Sequence, residues 1–170
     1  MTVSVDQRAA AMKRVLIRLS EMFWDERRGN FGDADLIGTS PLLTTLAEME
    51  DKAFIEVVMF LSNPRPYLLT KSGWLTAQRI AGRFDTDEFD ARRARLCAAL
   101  KSTVKGRQSE AIVDCQEVAQ LANMPEGWVS NILEGQTLFE LDPHQRYWLR
   151  LDDGLIYVPP TFGQVEVSLD

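Results

Sequence analysis

The sequence predicts a mainly α protein with small β-elements, organised as two small domains, 1–84 and 85–170. Three observations predict it. Apolar residues recur at steps of three and four through most of the first 130 positions, which is the spacing of amphipathic helices. Short β-type runs cluster after residue 136, the last two joined by the hairpin-turn sequence Asp152-Asp153-Gly154. The composition changes at Asp85-Thr86-Asp87-Glu88, and a chain of 170 residues is long enough for two small cores.

The first helix is expected from about Gln7 to Arg28, with Met12, Val15, Leu16, Leu19, Met22 and Phe23 as its apolar stripe and Gly29 as its end. Lys13, Arg14, Arg18 and Glu21 fall on the other face. Gly29 to Gly38 reads as a loop anchored by Phe31. Ser40-Pro41 starts a second helix with Leu42, Leu43, Leu46 and Met49 inward. Asp51 then caps a third, in which Phe54, Val57, Val58 and Leu61 repeat at helical spacing, and Asn63-Pro64-Arg65-Pro66 ends it. An extended Tyr67-Leu68-Leu69 leads to Thr70 as N-cap of a helix packing through Leu75, Ile80 and Phe84. Tyr67, Leu69, Thr70 and Gly73 resemble the Y-x-L-T-x-x-G segment that closes many bacterial winged-helix domains, where the last wing strand turns into a helix.

Beyond the boundary a helix is expected to about Val104, with Phe89, Leu96, Cys97, Leu100 and Val104 inward. Arg92, Arg93, Arg95, Lys101, Lys105 and Arg107 lie outward or in the loop beyond, the only basic cluster of the second half. Cys115 to Glu134 then carries the pattern of a helix-turn-helix. Asp114 and Glu117 make a capping box; Val118, Ala119 and Ala122 face inward; Asn123 suits a left-handed helix end; Pro125 opens the next helix; Val129 and Ile132 pack back. Small, turn and apolar residues at positions 5, 9, 15 and 18 counted from Cys115 resemble the helix-turn-helix superfamily. Strands expected at 137–141, 146–151 and 155–158 add a wing, and the order resembles a winged helix. The resemblance implies two tandem winged-helix-like domains.

That resemblance implies a regulator of transcription or replication that binds duplex DNA, as a dimer. The second helix would enter the major groove with Glu126, Gly127, Ser130 and Asn131 toward base edges, Asn131 suited to adenine. Arg146 and Arg150 of the wing would reach phosphate. Charge opposes this. The chain carries 19 basic and 25 acidic residues, and residues 108–170 alone have a net charge of −9, whereas duplex binders draw their affinity from cations on phosphates. Glu126 and Glu134 would meet phosphates with no Lys or Arg on the same helix. The alternative is a protein–protein adaptor with Trp128, Glu126 and Glu134 as contacts, or an acidic inhibitor of a nucleic-acid channel. Trp128, Tyr147, Trp148 and Tyr157 serve either as such anchors or as core.

No catalytic, metal or cofactor constellation is expected. His144, the only histidine, sits in a turn with no nucleophile placed beside it; Cys97 and Cys115 lack a CxxC partner; the glycines at 29, 32 and 38 lack a phosphate-cradle Lys. The expectation is a non-enzyme without cofactor. The longest apolar run is Val57 to Leu61, too short to span a bilayer. No basic region followed by an apolar stretch opens the chain, so residence in the cytoplasm is expected.

Overall fold

The computed structural model describes residues 4–39, 43–58, 65–104, 111–134, 150–152 and 154–158. The protein is mainly helical with two small antiparallel sheets. It divides into two compact units, one formed by Met1–Trp24 with Arg28–Phe84, the other by Asp25–Arg27 with Asp85–Asp170.

In the first unit, α1 runs Val5–Met22, with Ser4 and Gln7 closing a reciprocal capping box. Val15, Leu16 and Leu19 are buried as their spacing requires. The helix stops six residues before the expected end. The reason is packing: the Trp74 indole N–H donates to the Phe23 carbonyl at 2.7 Å, and Trp24 stacks on Trp74 with ring centroids 6.1 Å apart. Continuing the helix would break both contacts. Arg14 and Arg18 donate across to the carbonyls of Thr39 and Asp35, pinning the following loop to α1.

β1 (Asn30–Phe31), α2 (Leu43–Asp51), β2 (Ile55–Val57), β3 (Tyr67–Leu69) and α3 (Lys71–Ile80) complete the unit, and β3 lies between β1 and β2. The proposed start at Ser40-Pro41 lies outside the described residues. A third helix from Asp51 is replaced by β2: Ala53 turns the chain with φ of +57°, and Ile55, Glu56 and Val57 pair with Leu69, Leu68 and Tyr67. β-branched residues suit that pairing, which the apolar spacing alone could not distinguish from a buried helix.

The four residues of the Tyr67–Gly73 segment each have a structural task. Tyr67 stacks on Phe31, with centroids 5.4 Å apart, and Leu69 is fully buried. The Thr70 hydroxyl accepts from the Gly73 N–H at 3.0 Å and reaches the Ala53 carbonyl at 2.6 Å. A Cβ at Gly73 would strike the Phe54 carbonyl oxygen, so the close approach of α3 to β2 requires glycine there. The buried face of α3 is Gly73, Trp74, Ala77 and Gln78; the expected Leu75 is half-buried and Ile80 is exposed. Trp74 at the end of α1 sets that rotation.

The second unit contains α4 (Asp87–Val104), β4 (Ala111–Asp114), α5 (Cys115–Ala122), α6 (Glu126–Leu133), β5 (Arg150–Asp152) and β6 (Leu155–Val158). β6 pairs with both β4 and β5, giving the order β4-β6-β5. Asp114 caps α5 by accepting from the Gln116 N–H at 2.6 Å, and Asn123 ends it in the left-handed region with φ of +51°. Ala119, Val129 and Ile132 are buried where the two helices meet. The sequence did not announce β4; Ile112 and Val113 are its only β-branched residues. The strand expected at 137–141 lies outside the described residues, as do residues 146–149.

Replacing Gly73 by Ala is expected to destabilise the protein by about 2–3 kcal/mol, the cost of overpacking against fixed backbone. Thr70→Ala should cost about 1 kcal/mol through the lost cap. Urea denaturation of both variants measures this; a Gly73→Ala protein as stable as the parent would contradict the close approach.

Candidate functional site

The sequence candidates gather on α6 and on the basic residues of α4, both in the second unit. α6 begins at Glu126 after Pro125, whose fixed φ suits a helix start. Its first turn is covered by Asp25–Arg27. At Gly127 an added Cβ would run into the Arg27 nitrogen and lie 2.8 Å from the Asp25 carbonyl oxygen. Backbone therefore rests directly on α6, which only glycine permits. One turn on, the Asn131 side-chain amide donates to the Glu26 carbonyl at 2.9 Å, and Asn131 is fully buried. Ser130 is buried beside it, at 7 % exposure.

Trp128 is fully buried as well. Phe89 meets its ring edge-on at 6.1 Å, and the Arg92 guanidinium lies over it at 5.5 Å. The same guanidinium reaches Asp25 at 2.6 Å and Glu88 at 2.8 Å, with only 11 % of its side chain exposed. Arg92 thus serves as an internal clamp, holding the 25–27 segment, the start of α4 and Trp128 together. Its charge is satisfied within the unit.

The remaining sequence candidates are dispersed. Arg95 is exposed and Arg93 half-buried on α4; Glu126 is exposed and Glu134 half-buried at the two ends of α6. The side chains of Lys101 and Arg150, and all of Lys105, Arg107 and Arg146, lie outside the described residues, as do His144, Tyr147 and Trp148. Among the described residues no cluster of three or more His, Cys, Asp or Glu could hold a metal ion. No described helix is long and apolar enough to cross a membrane.

Cys115 is buried at the base of α5, and its thiol is pushed up to about 12 by burial first and by the nearby Glu126 and Asp114 carboxylates next. It is neutral and unreactive at physiological pH.

The apolar spacing carries the first helix through Asp25, Glu26 and Arg27, which lie beyond its end at Met22 and rest on α6 instead. One signal pointed to them. Gly127 stands in the first turn of a helix, where glycine is unfavourable unless something must come close. No family model matches the chain, and no curated protein or solved structure matches it.

Asn131→Ala should cost about 1–2 kcal/mol, because the Glu26 carbonyl loses its donor in a buried place. Amide exchange at residues 25–27 should rise in this variant and further in Gly127→Ala; unchanged exchange in both would show that the segment does not depend on α6. A second expectation concerns Cys115. Native protein at pH 8 should resist alkylation there and react once unfolded. Because the folded pKa lies above the unfolded value, burial of the thiol favours the fold below pH 9 and loses that advantage as pH rises toward 12. A pH series of melting temperatures, compared with Cys115→Ala, checks the sign.

Proposed function

We propose that the chain is a non-enzymatic protein–protein adaptor built on two winged helices. The observation that carries the reading is the covered face of α6. In a DNA-reading winged helix this is the surface that enters the major groove, and here Gly127 and Asn131 are occupied by the chain's own 25–27 backbone, while Ser130 is buried.

Element order supports the winged-helix part. Each unit has a leading helix, a first strand, helical segments and then a hairpin, and in each the third strand pairs between the first and second. The corresponding second helix of the first unit is α2, which contains Glu48, Glu50 and Asp51 and no Lys or Arg. Both helices in the reading position thus carry carboxylates, where a duplex binder needs cations to release counterions. The free cysteines Cys97 and Cys115 fit a reducing compartment such as the cytoplasm.

The regulator reading keeps one foothold, exposed Arg95 with Arg93 on α4. It would give sequence-independent contact with phosphate at low salt.

Filter binding of the full chain to duplex DNA separates the two. The adaptor reading expects retention no tighter than about 10⁻⁴ M at physiological salt, the weak end of non-specific binding, together with a stable protein partner recovered stoichiometrically with the tagged chain. Sequence-specific duplex binding by the purified monomer would overturn it.

A further inference from the structure

We propose that a groove along α1 in the first unit receives an amphipathic helix of a partner protein, which sets apolar residues on the groove's floor and acidic residues against its lysine-flanked edge. The inference rests on the adaptor reading and names the class of partner that reading requires.

Val5, Ala9, Met12 and Leu16 follow one another at i, i+4, i+7 and i+11 and so form one straight stripe on α1. Leu16 and Met12 are buried at 1 % and 8 %, whereas Ala9 is exposed and Val5 is 80 % exposed. The stripe therefore rises from the core to the surface over about 16 Å, at 1.5 Å per residue. Beside it, half-buried Phe54 and exposed Ile80, at 38 %, line a groove of about 490 Å³ together with Ala9, Met12 and Leu16. The core of the unit needs Leu16; it has no use for Val5 or the exposed side of Ile80. Apolar surface left along one line beside a buried stripe is the signature of a site that another apolar surface covers.

The shape selects a helix. The floor follows the α1 stripe from Ala9 to Leu16, about two turns, the length over which an opposing helix presents anchors at i, i+4 and i+7. The charge selects its edge. Lys13 on α1 and Lys52 beyond α2 flank the groove, both exposed, and among the described residues neither lies within ion-pair distance of a carboxylate. Glu48 is the single carboxylate in the lining and Thr76 the only hydroxyl. Two ammonium groups against one carboxylate favour a partner with acidic residues beside its apolar stripe.

The test uses the full chain and a labelled, acetylated peptide of about 15 residues with Leu at heptad-like spacing and Glu on both flanks, and a control with Lys in place of Glu. Fluorescence anisotropy should give a Kd of about 10–100 µM for the acidic peptide and at least about tenfold weaker binding for the control. Ala9→Glu, and the pair Lys13→Glu with Lys52→Glu, should each weaken the acidic peptide by about tenfold or more. These positions are exposed, so circular dichroism should show unchanged folding; Ile80→Ser provides a second, uncharged variant expected to weaken binding. Equal affinity for both peptides, binding indifferent to Ala9→Glu, or no binding at about 1 mM would overturn the proposal. So would a concentration-dependent dimer abolished by Ala9→Glu, which would assign the groove to a second copy, or occupation by decanoate with no peptide bound. If a partner recovered with the full chain is still recovered with Ala9→Glu, the groove assignment fails while the adaptor reading stands. Specific duplex binding would remove the adaptor reading instead.

Discussion

The backbone of Asp25–Arg27 rests on α6, and the missing side chain of Gly127 is what lets it do so. Three described side chains of the second unit are arranged around that contact. Asn131 gives its amide to Glu26, Arg92 reaches Asp25 with one nitrogen and Glu88 with another, and Trp128 fills the space beneath the guanidinium. A single glycine-permitted approach thus converts three residues with the chemistry of recognition into internal fasteners. Arg92 illustrates the energetics: the ring beneath it and the two carboxylates beside it compensate the water it gives up.

The first unit has an equivalent constraint at Gly73, where α3 comes down on the Phe54 carbonyl and Thr70 ties the two together. Trp74 follows from it. Once α3 is fixed at that height, its indole meets the Phe23 carbonyl and stacks with Trp24, and the end of α1 is decided by those two contacts rather than by helix propensity. In both units a helix is seated by a glycine against backbone, and an aromatic residue next to that glycine closes the core.

What could be read from the sequence divides along the same line. The α5–α6 pair was legible because its determinants are local: Asp114, Asn123 and Pro125 act on neighbouring backbone, and Ala119, Val129 and Ile132 follow from spacing. The motif at Tyr67–Gly73 was legible for the same reason. β2 was not, since Ile55 to Val58 suits a buried helix and a paired strand equally, and only the partner strand decides. The covering of α6 was out of reach because Asn131 and Glu26 are 105 residues apart. Sequence spacing expects Ser130 and Asn131 exposed toward base edges, and both are buried instead, Asn131 by its bond to Glu26.

The electrostatic consequence extends beyond α6. Residues 108–170 carry a net charge of −9, and Arg92 of α4 is already held by Asp25 and Glu88. An excess of acidic residues of this size opposes phosphate and favours basic groups in any encounter. The groove on α1 has the opposite character, with two lysines over an apolar floor. On the adaptor reading proposed above, charges of opposite sign in the two places would select different partners before apolar contact forms. Salt would weaken that charge selection and leave the apolar contacts intact, so on this reading the acidic-peptide preference falls with ionic strength while the apolar part of the affinity stays.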